Sequence, residues 1–142
     1  MRKNIKKVLC FTLCLIIFNV SAVHAQKIQS GNFNTIGYIK PNGIIQDSNF
    51  MIAGYFKSNG TIQNRNFQII GYIKPNGTIQ NSSFYIVGYV KSDGIVLDGN
   101  FKILGYMKND GRILDSNFRI MGYAKSVKRE WAAVLFFFFS FN

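Results

Sequence analysis

Thiol and imidazole chemistry have almost nothing to work with in this chain. Its two cysteines, Cys10 and Cys14, and its one histidine, His24, all fall within residues 1–25. That opening segment reads Met-Arg-Lys-Asn-Ile-Lys-Lys, then an apolar run from Val8 to about Val20, then Ser-Ala-Val-His-Ala ahead of Gln26. A basic start, an apolar middle and a small-residue end are the parts of a secretory signal peptide. Residues 1–25 are therefore expected to be cleaved after Ala25, placing the product in the periplasm, on the cell surface or outside the cell. The apolar run is shorter than the roughly 20 residues a membrane-spanning helix needs, and neither cysteine has the Leu-small-small-Cys setting of a lipoprotein. Residues 26–142 contain no Cys and no His. That excludes disulfides, zinc sites, Ser-His-Asp and Cys-His nucleophiles, and imidazole acid–base catalysis. Acidic residues are scarce as well, six against 17 basic ones, and losing Arg2, Lys3, Lys6 and Lys7 lowers the net charge from +11 to about +7.

What the chain does have is a repeat. Rows of seventeen residues align without a gap: Phe at 33, 50, 67, 84, 101 and 118, Gly at 37, 54, 71, 88, 105 and 122, Tyr one residue later, and Lys two after that. A second glycine column, Gly43, Gly60, Gly77, Gly94 and Gly111, is always preceded by Asn or Asp. A fixed period of this kind marks supersecondary units that bury their apolar faces only by packing on neighbours. Each unit holds a longer strand of the type Phe50 to Lys57 and a shorter one of the type Thr61 to Gln63. Lys-Pro-Asn-Gly or Lys-Ser-Asn-Gly joins them at one end, and Asp47-Ser48-Asn49 or Asn64-Arg65-Asn66 at the other. Both links are turn-forming and too short for a parallel crossover, so the chain reads as an antiparallel meander.

Alternation assigns Phe50, Ile52, Gly54 and Phe56 to the core face, joined by Ile45, Ile62, Ile79, Val96 and Ile113 of the shorter strands, and sets Met51, Ala53, Tyr55 and Lys57 outside. The invariant glycine within the longer strand predicts a bulge or a close backbone approach. An unpartnered shorter strand at Lys27 to Ser30 and an unpartnered longer one at Phe118 to Lys125 would complete each other if the meander closed, which would also remove its edges. The expected fold is all-β, a closed ring of about five short antiparallel hairpins resembling a small propeller, over residues 26–125. Residues 126–142 form a Phe-rich tail expected to pack on or in that ring as a plug or an extra strand, because exposed phenyl runs aggregate.

The unit Asp-Gly-x-Ile-x-Asp-Ser-Asn-x-x-Ile-x-Gly-Tyr-x-Lys, the leading signal peptide, and the tail Ala124-Lys125 … Glu130-Trp131-Ala132-Ala133 … Phe-Phe-Phe-Phe resemble the five-fold β-flower proteins. The resemblance runs from Lys27 to the end of the chain. It implies a small rosette of five hairpin petals found in exported proteins of Bacteroidetes, with no established activity. This chain departs from the pattern in carrying Phe after the Asp-Ser-Asn turn and Asn for Asp in several turns.

Acidic groups are the remaining acid–base candidates, and their columns argue for turns. Asp47, Asp98 and Asp115 share a column with Asn64 and Asn81, and Asp93 and Asp110 share one with Asn42, Asn59 and Asn76. An amide can replace a turn residue but not a general acid or base. No catalytic residue, cofactor or metal site is assigned, since a hard cation needs several carboxylates converging. The candidate ligand contacts are two rows on the non-core face: Tyr38, Tyr55, Tyr72, Tyr89, Tyr106 and Tyr123, and Lys40, Lys57, Lys74, Lys91, Lys108 and Lys125. Such rows would stack on sugars or attract anionic polymers of the envelope. The plainer reading makes Tyr a cover for the sheet and Lys a solubilising rim. Specific nucleic-acid binding is not expected of an exported chain without an RNA-binding aromatic motif. The chain thus reads as an exported, non-enzymatic structural or interaction protein and a candidate envelope-binding module. The alternative is a glycan- or anionic-polymer-binding module resembling wall-binding repeats, although those rely on Trp and Trp131 lies outside the repeat.

Overall fold

The computed structural model describes residues 24–141. Apart from His24 and Ala25, the expected signal peptide lies outside the described residues. Twelve strands follow in order: β1 Gln26–Ser30, β2 Thr35–Ile39, β3 Ile44–Asp47, β4 Ile52–Phe56, β5 Thr61–Asn64, β6 Ile69–Ile73, β7 Thr78–Asn81, β8 Ile86–Val90, β9 Ile95–Asp98, β10 Ile103–Met107, β11 Arg112–Asp115 and β12 Ile120–Tyr123. Each pairs antiparallel with its sequence neighbours, and β1 pairs with β12 through Gln29↔Tyr123 and Ser30↔Gly122. The sheet is a closed barrel with no free edge.

The two halves at the chain ends thus join into one more hairpin, making six petals where about five were expected. Every strand is hydrogen-bonded on both sides, so the petals are segments of one continuous sheet and not the separate blades of a propeller.

Both kinds of turn share one geometry. The fourth residue donates its N–H to the first carbonyl, as in Gly43 to Lys40 (2.8 Å) and Phe50 to Asp47 (3.1 Å), and that fourth residue has positive φ. This is a tight turn followed by a left-handed residue, a common short hairpin connection. At the Lys end the left-handed residue is glycine, because a Cβ on Gly43 would collide with the Phe56 carbonyl oxygen. At the Asp end it is Phe, at φ 62–66° in all six copies.

Those phenylalanines do not enter the core. Phe33, Phe50, Phe67, Phe84, Phe101 and Phe118 are 61–67 % exposed. Two features undo simple alternation. The left-handed turn ends the strand pattern before Ile52, and a bulge comes next, since Gln46 faces Ile52 and Ile45 faces Gly54, leaving Ala53 extra. One extra residue reverses the faces of everything on its far side. Gly54 and Phe56 therefore point inward as expected, whereas Ile52 and Phe50 point outward and Ala53 turns towards the interior, where it packs against the core.

The interior is lined by Ile28, Ile45, Ile62, Ile79, Val96 and Ile113 from one strand set and by Ile39, Phe56, Ile73, Val90, Met107 and Ala124 from the other. The hub between them is filled by the tail. Helix α1, Arg129–Ala133, enters at the Lys end, where the Arg129 guanidinium donates to the Ser92 carbonyl and to Asn109 Oδ1. Trp131 stacks on Phe56 at 5.1 Å, and Ala132, Ala133 and Val134 are fully buried. A π-helical turn continues it over Val134–Phe138.

A π-turn takes more residues per revolution than an α-turn, so successive rings step round the axis by smaller angles, as neighbouring petals require. Phe136, Phe137, Phe138, Phe139 and Phe141 lie against Gly122, Gly105, Gly88, Gly71 and Gly54 in turn. An added Cβ at Gly54, Gly71 or Gly105 would sit 2.6–2.7 Å from a ring carbon. The mid-strand glycine column is thus a close approach as well as the neighbour of a bulge, and the tail is a helical plug and not an added strand.

The turns carry two stability outcomes. Phe67→Gly is expected to unfold at higher denaturant than Phe67→Ala, by about 1 kcal/mol, because only glycine relieves the left-handed backbone; equal midpoints would contradict that backbone reading. The first Asp-end turn has Ser30, whose buried Oγ has no hydrogen-bond partner, where the other five have Asp or Asn. Ser30→Asn is expected to raise stability by about 0.5–1 kcal/mol in thermal unfolding.

Candidate functional site

The outer wall of the barrel is a belt of stacked aromatic pairs. Tyr38 lies under Phe50, Tyr55 under Phe67, Tyr72 under Phe84, Tyr89 under Phe101 and Tyr106 under Phe118, with centroids 4.6–4.9 Å apart and planes within 15°. The sixth pair, Phe33 over Tyr123, spans the junction of the two chain ends at 4.6 Å. Each Tyr comes from a longer strand, and each Phe from the next Asp-end turn. The stack therefore fastens one petal to its neighbour from outside.

Gln46, Gln63 and Gln80 steady the arrangement by donating Nε2–H to the carbonyls of Phe50, Phe67 and Phe84 at 2.8–3.3 Å. Ile52, Ile69, Ile86, Ile103 and Ile120 add exposed aliphatic surface beside the rings.

The predicted Tyr row is therefore on the outer face, but half covered: one face of each ring is given to a phenyl group. The surface actually presented is the phenylalanine row, which alternation assigns to the core. The signal for it in the sequence is the position of Phe as fourth residue of an Asp-Ser-Asn turn, a place that calls for positive φ and so lies outside the strand.

The predicted Lys row stands at the first position of the Lys-end turns and of the final turn after β12. It forms a basic rim at one end of the barrel and does not interleave with the aromatic belt. Lys74 is the exception, with Nζ 5.8 Å from the Tyr72 centroid.

The five aspartates are engaged in backbone geometry. Oδ1 of Asp47, Asp98 and Asp115 accepts the N–H groups two and four residues on, and Asn64 and Asn81 do the same with their amide oxygens. In the Lys-end turns, Asn42, Asn59, Asn76, Asp93 and Asp110 each accept the N–H two residues on. The backbone N–H of Arg112 holds the Asp110 carboxyl below the usual carboxylate range, aided by the Arg112 guanidinium. The backbone N–H of Arg119 does the same for Asp115, with its guanidinium 2.9 Å away. Among the described residues no three acidic or imidazole groups cluster to hold a metal, and no helix is long and apolar enough to cross a membrane.

A closed antiparallel barrel of hairpins, plugged by its own tail and belted with aromatic pairs, is the class of protein these features define. The family model described as 5-fold beta-flower protein matches residues 25–140, and the chain belongs to that family. Its own barrel has six hairpins, with five tail phenyl rings meeting five of the six mid-strand glycines. No curated protein and no solved structure matches it.

The sign of the two shifts predicts a loss of stability in acid. A carboxyl whose folded pKa is depressed stabilises the fold above its unfolded value, about 3.9, and that contribution is lost as pH falls through the folded pKa. Thermal unfolding of the Asp110→Asn/Asp115→Asn double variant should therefore lose less between about pH 5 and pH 2 than the wild type does. A wild-type and variant pair with the same acid slope would count against the assignment.

Proposed function

We propose that the protein is an exported, non-enzymatic interaction module of the cell envelope, and that it binds a repetitive glycan through the belt of Phe–Tyr stacks. The observation that carries this reading is the left-handed phenylalanine. Holding a side chain in that conformation costs about 1–2 kcal/mol, and a stacked aromatic pair returns about 0.5–1.5 kcal/mol. The two nearly cancel, so stability alone gives no reason to prefer Phe over Gly in six turns. What Phe adds is an exposed apolar ring face, backed by Tyr and repeated around the barrel. Sugar C–H faces stack on such platforms, and six copies of a weak site give a polymer with a matching repeat much higher avidity than any one of them.

The basic rim supports a second reading, an anionic envelope polymer held by Lys40, Lys57, Lys74, Lys91, Lys108 and Lys125. Salt separates the two, because charge-based binding of exposed groups weakens steeply with ionic strength and stacking does not. Polysaccharide pull-down is the test. Under the glycan reading, retention persists at about 0.5 M salt, and it falls at least ten-fold when Phe50, Phe67, Phe84 and Phe101 are all changed to Gly, a variant whose turns keep their preferred backbone. Retention that vanishes with salt but survives the four substitutions would move the site to the Lys rim.

A further inference from the structure

Among the described residues the tail seats five rings against six petals, and none of them lies at the sixth mid-strand glycine, Gly37. At Gly37 the three atoms nearest to an added Cβ are backbone atoms of Gln46 and Asp47, with no ring among them. At the five equivalent glycines a tail phenyl ring is among the three nearest. The chain advances from Phe139 at Gly71 to Phe141 at Gly54, with the exposed Ser140 between them, and does not reach Gly37 within the described residues.

Two further observations mark the same spot. Ile36 is 49 % exposed, whereas its repeat equivalents Ile70, Val87, Leu104 and Met121 are partly buried against the core. Ala53, the one small residue of that column, lines the same space. The result is a cavity of about 250 Å³ with apolar walls from the strands and from the tail residues Leu135, Phe139 and Phe141, and with Gln46, Asp47 and Ser140 as its polar lining.

We propose that this cavity is a binding site for a small aromatic molecule, its phenyl ring seated at Gly37 as the tail's rings are seated at the other five glycines, and its polar substituent directed to the mouth. The shape argument comes from the molecule itself, since five copies of the same slot already accept phenyl groups. The size is adequate, because a dry cavity of about 150 Å³ with aliphatic and aromatic walls suffices for benzene. The ligand chemistry is a monosubstituted benzene whose polar group donates a hydrogen bond, since Asp47 and Gln46 are among the lining residues. This site is separate from the aromatic belt on the outer wall, and it does not depend on the glycan reading.

Benzyl alcohol is the probe, titrated into the purified protein and followed by methyl NMR. Saturable shifts are expected at Ile36, Ile45 and Leu135, with a Kd on the order of 1 mM for so small a ligand. Val87 and Leu104 flank the slots at Gly71 and Gly88 and still leave room for Phe139 and Phe138. Blocking this slot therefore takes a larger group, and Ala53→Phe and Ala53→Trp place a ring of the chain's own in it. Affinity should fall by at least ten-fold in either variant, while polysaccharide retention is unchanged. If Ala53→Trp does not fold, the decrease in Ala53→Phe carries the test. Conversely, the Phe50, Phe67, Phe84 and Phe101 to Gly variant should bind benzyl alcohol as the wild type does. Absence of saturable shifts, shifts confined to the outer belt, or undiminished binding in both Ala53 variants would overturn the proposal.

Discussion

Twelve strands of four or five residues cannot close around empty space, and the contact that resolves this is between phenyl rings and glycines. A ring of this many strands leaves a hub that Ile and Val side chains from the wall only partly fill. The tail enters it with Ala132, Ala133 and Val134 on the axis and then spreads five phenyl groups outward. At all six mid-strand glycines an added Cβ would collide with a carbonyl oxygen of the paired strand, and at five of them it would also meet a tail ring. Remove either partner and the other becomes a liability: glycines without rings leave cavities, and rings without glycines have nowhere to go. Backbone hydrogen bonding closes the circle at β1 and β12, and the tail fills the hub that the closed circle encloses.

The outer wall obeys the same backbone geometry. The two ends of the barrel use one turn, closed by the same hydrogen bond and ending in the same left-handed residue. At the Lys end the next strand's carbonyl crowds that residue, so it must be glycine. At the Asp end the Cβ points into open space, so a side chain is sterically allowed, and Phe uses the freedom to lie over the Tyr of the preceding petal. The bulge just beyond the turn then sets which strand residues look outward. Core, turn and belt are in this way linked by two local features repeated six times.

The family is described by five-fold symmetry, and this chain keeps a trace of five inside six. The tail presents five rings, and the mismatch leaves one petal unlike the rest. At Gly37 the cavity, the exposed Ile36 and the small Ala53 coincide. In a near-symmetric protein, a departure confined to one repeat is where ligand chemistry is best sought, because the other repeats show what the position is built to hold.

Much of this was legible in the residues. The seventeen-residue period, the antiparallel hairpins, the closing of the ends on each other and the structural use of Asp and Asn come from local chemistry: turns too short to cross over, columns in which an amide and a carboxylate alternate, and half-units left at both ends. The orientation of Phe50 and Ile52 was not legible, because alternation assumes an unbroken strand and a single bulge at Ala53 reverses it. The expected count of about five petals fell short by the one hairpin that the two joined ends make. The pairing of each tail phenylalanine with a particular glycine belongs to tertiary structure alone. It depends on the angular step of a π-turn measured against the spacing of strands more than a dozen residues away, and no local pattern encodes that match.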